Sequence, residues 1–347
     1  MADSSHVIKT AVVGFGLSAT VFHIPFIRAS SAFELVAVSS SQKDAVKQSF
    51  PELKVYDTAQ SMIEESDAEL IIITAPNEVH YSLAHLALGH NKHVIIEKPF
   101  VTNVEQGREL IEWAESQNKV LAVFHNRRWD GDFLTVKHLI NTHQLGDVKY
   151  FESHFDRFRP VVQQRWREQS GDGSGILFDL GPHLIDQALD LFGMPEAVTA
   201  RCLATRENAE VTDFFNLWLH YPDNEVVLQS SPYAAASNVR FHVQGTEGSY
   251  LKHGLDPQEA RLRQGVMPNK TDWSAETPEE YGAFYHAEGH FVVPTQLGGY
   301  QHFFQNVAEA ISGKSDLMVT PHEALNTLKI IELAIQSSNA GKTLAVS

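Results

Sequence analysis

Two hydrophobic patterns divide the chain. Up to about residue 124, short apolar runs without a polar face alternate with longer stretches of helical periodicity. The runs are Ile8 to Val13, Glu34 to Ser39, Leu70 to Thr74, Val94 to Ile96 and Val120 to Phe124. Runs of this kind fit strands buried on both faces inside a parallel sheet. The stretches between them predict helices near 43–49, 58–65, 79–89 and 103–117. Alternation at this spacing implies right-handed βαβ crossovers and a doubly wound sheet.

From His125 onward that alternation stops. After a helix expected near 131–142, Val148 to Asp156 alternates apolar and polar positions, as a strand with one face on a core does. Further strands are expected over Ala197 to Ala204, Thr212 to Leu219, Glu225 to Gln229, Val239 to Gln244 and Ser249 to Lys252. A mostly antiparallel open sheet with helices on one face follows. The run 255–290 reads as irregular and polar, and helices are expected after Gly299 and over 322–339. The stretch Ile176 to Phe192 reads as a helix stopped by Gly193, broken near Gly181 with Pro182 in the first turn of its second piece. The fold class is therefore α/β, with a Rossmann-type domain over residues 1–124 and an α+β domain over 125–347.

Composition narrows the partners. The chain has 347 residues, 43% hydrophobic and 20% charged, enough for two cores without staples. Its one cysteine, Cys202, cannot form an internal disulfide, and no Cys/His cluster has metal-site spacing. The first residues lack a basic segment followed by an apolar one, and no apolar run approaches the roughly 18 residues that span a bilayer. The expectation is a cytoplasmic protein with no membrane contact and no metal. A formal net charge of −16 argues against nucleic acid, which needs basic patches. Small molecules are the expected partners.

Candidate chemistry concentrates at strand ends. Gly14-Phe15-Gly16-Leu17-Ser18-Ala19 follows the first strand directly. In that context Gly14 permits a tight turn, Gly16 lets backbone N–H groups approach a pyrophosphate, and Ala19 allows close helix packing. The second strand ends in Ser39-Ser40-Ser41-Gln42-Lys43, where an acid would grip the ribose 2′-hydroxyl of NAD. With hydroxyls and Lys43 there instead, NADP is favoured, although NAD is not excluded by these residues. One serine is also expected to cap the next helix. Lys98, in Ile95-Ile96-Glu97-Lys98-Pro99-Phe100, lies at the carboxyl end of a buried strand, the edge at which open α/β sheets bind ligands. In the turn Pro76-Asn77-Glu78-Val79-His80, Asn77 reads equally as a helix cap or a ligand. Asp179 and His183, four residues apart, share a helix face if helical geometry persists across the break. That spacing alone suits either a satisfied core histidine or a base oriented by a carboxylate. The loop 159–175 holds Trp166, readable as a lid or an interface anchor. His23 reads as a packing residue.

Gly14-Phe15-Gly16, Pro76-Asn77-x-x-His80 and Glu97-Lys98-Pro99 together resemble the Gfo/Idh/MocA family of NAD(P)-dependent oxidoreductases. His125-Asn-Arg-Arg-Trp-Asp130, Arg165-Trp-Arg-Glu168 and Asp179-x-x-x-His183 resemble most the branch containing NADP-dependent scyllo-inositol dehydrogenase. The resemblance implies that Lys98 approaches the reacting carbon and that Asp179 and His183 are the catalytic carboxylate and base. It implies cofactor contacts from Pro76, Asn77, His80, Glu97 and Lys98, beside those of the glycine loop, and substrate contacts from Asn126, Arg127, Trp166 and Tyr300, with core packing the equal alternative for Tyr300. It also implies self-association through the second sheet, as a homodimer or homotetramer. The expected activity is hydride transfer between a secondary alcohol of a cyclic polyol or sugar, most of all an inositol, and NADP. The alternatives are another sugar, aldose or dihydrodiol dehydrogenase, or a non-catalytic dinucleotide sensor.

Overall fold

A computed structural model describes residues 6–164, 168–268 and 271–346. Six parallel strands form the first sheet: β1 (Ile8–Val13), β2 (Phe33–Ser39), β3 (Lys54–Tyr56), β4 (Leu70–Ile73), β5 (His93–Ile96) and β6 (Leu121–Val123). Their order is β3-β2-β1-β4-β5-β6. β1 therefore pairs with β2 on one side and β4 on the other, so the winding reverses between β1 and β4. Ile71, Ile72, Ile73, Val94, Ile95 and Ile96 are fully buried, as their unbroken apolar runs require. The crossovers carry α1 (Ile24–Ala29), α2 (Lys43–Ser49), α3 (Ala59–Glu65), α4 (His80–Gly89) and α5 (Val104–Ser116). Thr58 and Asn103 cap α3 and α5 through side-chain oxygens that accept the N–H groups of Ser61 and Gln106. The three-residue β3 leaves no periodic trace in the sequence and was not expected.

The second sheet has nine strands: β7 (Val148–His154), β8 (Ala197–Leu203), β9 (Phe214–His220), β10 (Glu225–Ser230), β11 (Val239–Gly245), β12 (Ser249–His253), β13 (Gly282–His286), β14 (Gly289–Val293) and β15 (Leu344–Ala345). Its order is β14-β13-β12-β11-β7-β10-β9-β8-β15, antiparallel except for the β7–β10 pair. Alternate residues Phe151, Phe215, Leu217, Val226, Leu228, Phe241 and Val243 face a core shared with Phe133, Leu184 and Ile185. Those last three come from α6 (Gly131–Asn141) and α8 (Gly181–Phe192), and a short α7 (Ile176–Asp179) precedes α8. The expected break is therefore present, with Pro182 in the first turn of α8.

Two expectations need correction. The run 255–290 is not irregular: it holds α9 (Gln258–Arg263), β13 and the start of β14. Its short elements carry too few residues to show a period. Nor does the chain divide into two uninterrupted domains. One compact unit is Met1–Asn126 with Gln258–Trp273 and Tyr300–Leu325; the other is Arg127–Pro257 with Ser274–Gly299 and Asn326–Ser347. The second of the returning segments carries α10 (Gln301–Ile311). Phe304 stacks on Phe26 at 5.2 Å, and Phe303 meets Phe124 edge-on at 5.0 Å. Burying those rings is what binds α10 to the first unit. The last helix, α11, spans Pro321–Ala340.

Candidate active site

In the first unit the glycine loop leaves β1 at the point where the winding reverses. Gly14 has φ +94°, and a Cβ there would lie 2.8 Å from Thr74 Oγ1 and 3.3 Å from Thr74 O. Only glycine fits. Gly16 differs: a Cβ would meet nothing within 4 Å, so no packing within the protein requires glycine there. Exposed backbone with open space above it, at the carboxyl edge of the sheet, suits close approach of a pyrophosphate. The residues present thus fit a dinucleotide. Phe15 packs edge-on against Phe50, Leu17 is half exposed, and Ala19 is fully buried. The chain then turns through a π-helix, Ser18–His23, before α1. Such wide turns recur at functional sites.

That π-turn meets β5 through Glu97. Ser18 Oγ donates to Glu97 Oε1, His23 Nε2 lies 2.9 Å from the same oxygen, and the Lys98 N–H donates to Glu97 Oε2 at 3.1 Å. Burial acts to raise the Glu97 carboxyl, but the His23 hydrogen bond, the His23 and Lys98 charges and Ser18 outweigh it, bringing its pKa down to about 2. Glu97 is thus a joint between the glycine loop and the backbone of Lys98. His23 is its partner as well as a packing residue, its ring tilted against that of Phe124 with centroids 4.3 Å apart. Lys98 is half-buried, and its bond to Pro99 is cis.

The other expected cofactor residues fall into two groups. Ser39 and Ser40 are buried at the end of β2, and Ser40 Oγ accepts the Gln42 N–H at 3.0 Å. This bond closes the turn before α2 and is not the expected helix cap: the N-cap of α2 is Gln42, which makes no side-chain cap bond. Ser41 is exposed, and Lys43 is paired with Asp57 on the surface. Pro76 and Asn77 follow β4, across the switch point from Gly14, and Asn77 is buried. His80 is fully buried with its ring nitrogens 3.0 Å from the carbonyls of Pro99 and Ala75. Burial lowers its pKa against the pull of those carbonyls. It ties the turn after β4 to the turn after β5 and presents no surface to a cofactor, a correction to its expected role.

In the second unit α7 starts where Ile176 N–H donates to Thr212 O at 2.7 Å. Gly175, at φ +89°, makes this possible, because a Cβ would lie 2.8 Å from that carbonyl. Asp179 ends α7 and is half-buried; Leu180 interrupts the helix at φ −111°, and His183 follows within the first turn of α8, 6% exposed. One turn further on, Asp186 receives a two-pronged bond from Arg128, Nε to Oδ2 at 2.9 Å and Nη2 to Oδ1 at 2.8 Å. Arg127 is buried, its guanidinium 4.9 Å over the Phe155 ring and 3.3 Å from Asp130. Asn126, buried also, belongs to the first unit. Tyr300 is fully buried in the first unit beside Phe22 and Phe26, and so offers no face to a substrate. Trp166 lies outside the described residues.

Sequence reasoning did not single out Ser18 as a partner of Glu97, nor Arg128, Asp186 and Gln187. A carboxylate three residues after His183 was the one available signal. Among the described residues no group of three or more His, Cys, Asp or Glu could hold a metal ion, and no helix is long and apolar enough to cross a membrane.

Comparison with known proteins agrees with this geometry. Residues 8–125 match the oxidoreductase-family NAD-binding Rossmann fold, and residues 137–346 match the oxidoreductase-family C-terminal alpha/beta domain. The chain is 41% identical over 344 residues to the uncharacterized oxidoreductase YdgJ of Escherichia coli K12, covering 98% of this chain and 99% of that protein. It is 38% identical over 341 residues to the NADP-dependent scyllo-inositol 2-dehydrogenase IolW of Bacillus subtilis 168, covering 97% and 95%. Among solved structures, the oxidoreductase yvaA of Bacillus subtilis superposes with a TM-score of 0.95 at 36% identity, with 99% of each chain covered.

Proposed function

The chain belongs to the Gfo/Idh/MocA family of oxidoreductases, and on that premise we propose that it interconverts a secondary alcohol of a cyclic polyol or sugar, foremost an inositol, and the corresponding ketone with NADP(H). The observation that carries the reading is the glycine loop at the switch point, whose second glycine stands under open space. The similarity to IolW along nearly the whole chain supports the inositol, and the absence of an acid over residues 39–43 supports NADP. A nicotinamide dinucleotide, when bound, accepts or returns the hydride.

The chain's own residues handle position and protons. Loop amides from Phe15 to Ser18 bind the pyrophosphate at the start of the π-turn. Ser40 Oγ accepts from Gln42 and so keeps its own proton to donate to a 2′-phosphate. Lys43 and Asp57 have side chains 47% and 76% exposed, so that pair is readily exchanged for one with phosphate. His183 takes the hydroxyl proton in oxidation and returns it in reduction, and Asp179 sets its tautomer and favours its protonated form. The Lys98 ammonium hydrogen-bonds the reacting oxygen and stabilises its developing negative charge. A homodimer or homotetramer forms through the outer face of the second sheet, where Trp218 is 44% exposed; light scattering that returns a monomer mass would refute this part.

A screen of inositols, aldoses and sugar ketones with both dinucleotides, followed by nicotinamide absorbance, tests the substrate. Calorimetry tests the cofactor: NADP should bind more tightly than NAD, and Ser40→Asp should weaken NADP selectively. Equal or tighter NAD binding by the parent protein would overturn the assignment. On the best substrate, Lys98→Ala and His183→Ala should each cost about 10²–10⁴-fold in kcat while dinucleotide affinity holds.

A further inference from the structure

α8 carries His183, and two residues on the same side of the helix are fastened to the segment before α6. Asp186, three positions on, is held by the Arg128 fork. Gln187, four positions on, is fully buried and uses both ends of its amide. Its Nε2 donates to the Arg127 carbonyl at 2.7 Å, and its Oε1 accepts from Arg240 Nη2 at 2.7 Å. Residues three and four apart are neighbours on a helix surface, so these anchors sit one turn below the imidazole.

Arg240 is the fixed end of this chain of contacts. It is fully buried, its other terminal nitrogen donates to Ser153 Oγ at 2.6 Å, Nε lies 3.4 Å from Asp132, and the guanidinium sits 4.1 Å over Phe241. A buried cation tied to a strand of the sheet cannot drift, and a glutamine held by it has a single amide orientation. An apolar side chain of similar size would fill the same space more simply. The polar chain is explained if its task is to fix distance and rotation along α8.

We propose that Gln187, backed by Arg240, is a positioning residue that sets the height and rotation of α8 and thereby aims the His183 imidazole. The consequence for catalysis rests on the reading of His183 as the base; the consequence for the ring itself does not. A misplacement of about 1 Å at a reacting group is enough for roughly 10²-fold in rate.

The test uses the full chain labelled at histidine Cε1, with the His183 resonance assigned by its loss in His183→Asn. Gln187→Met keeps the volume and removes both hydrogen bonds. Gln187→Glu keeps the bond from Arg240 and removes the donor to Arg127. Either should move or broaden the His183 resonance, and Gln187→Glu should also raise its titration midpoint by placing an anion one turn away. Both should lower kcat by about 10- to 100-fold while leaving KM and dinucleotide affinity nearly unchanged. If the Met variant fails to fold, the Glu variant gives the same readouts. A resonance unmoved in the folded variants overturns the proposal, whatever the rate. A moved resonance with a fully active His183→Ala protein supports the positioning role and removes the base assignment instead.

Discussion

Gly14 and Gly16 look interchangeable in the motif but are held for opposite reasons, and replacing each by alanine separates them. At Gly14, alanine would have to adopt φ +94°, which costs roughly 1–2 kcal/mol for a residue with a Cβ. Its Cβ would also lie 2.8 Å from Thr74 Oγ1, which cannot retreat without loosening its 2.6 Å bond to the Val13 carbonyl, worth about 1 kcal/mol. The Thr74 carbonyl at 3.3 Å blocks the other way out. Gly14→Ala should therefore lose about 2–3 kcal/mol of stability in denaturant titration. Gly16→Ala adds a methyl group to empty space at an ordinary φ, so stability should hold or rise by up to about 1 kcal/mol. That methyl would stand where the pyrophosphate must come close, and a contact forced apart there costs about 1–3 kcal/mol, or roughly 5- to 150-fold in dinucleotide affinity. Calorimetry and denaturant curves on the two variants give the answer. The reasoning fails if Gly16→Ala binds the dinucleotide as the parent does, or if it is destabilised as much as Gly14→Ala.

Three further outcomes follow from the charged groups. Burial acts to lower the pKa of His154, but hydrogen bonds to Asp156 and Glu152 raise it to about 9, above its ordinary 6.5. Its contribution to stability is fully present below pH 6.5 and is lost as pH rises through about 9, so His154→Gln should be destabilised near pH 6 and match the parent near pH 10; equal differences at both pH values would contradict this. Glu97 is displaced the other way, from 4.5 to about 2, so its stabilisation is present above pH 4.5 and disappears as pH falls through about 2; Glu97→Gln should flatten the parent's acid unfolding across that window, and an unchanged acid limb would exclude the joint as its cause. Arg128→Lys removes the fork on buried Asp186 while keeping the charge, and should cost about 1–3 kcal/mol in thermal or denaturant unfolding; a stability equal to the parent's would show that a single contact suffices.

The parts of the fold that the sequence disclosed are those whose physics is local or periodic. Ile71 to Ile73 and Val94 to Ile96 are apolar at every position because both faces of their strands are covered, so they read as parallel-sheet strands without ambiguity. Gly14 was legible because a strand ending in glycine has few uses. What escaped was either too short to show a period or non-local. β3 has three residues and no period. The return of residues 300–325 to the first unit rests on Phe303 and Phe304 finding Phe124 and Phe26, a pairing between positions that no spacing connects.

The same limit governs the site, and its pattern is informative. The residues that the resemblance offered as ligands split according to whether their polar atoms are already engaged inside the protein. His80 reads as a ligand from its motif, yet both ring nitrogens face carbonyls and the residue is fully buried. Glu97 reads as part of a catalytic string, yet both carboxylate oxygens accept bonds from the loop before α1 and from the Lys98 backbone. Buried polar atoms tend to be satisfied, so the engaged members of a motif are the ones that hold geometry, while the binding surface falls to neighbours such as Gly16 whose surroundings are open. Around His183 the division recurs: Arg128 and Gln187 stand in the sequence as ordinary polar residues, and only the carboxylate and the buried arginine they reach reveal that they fix the helix on which the imidazole stands.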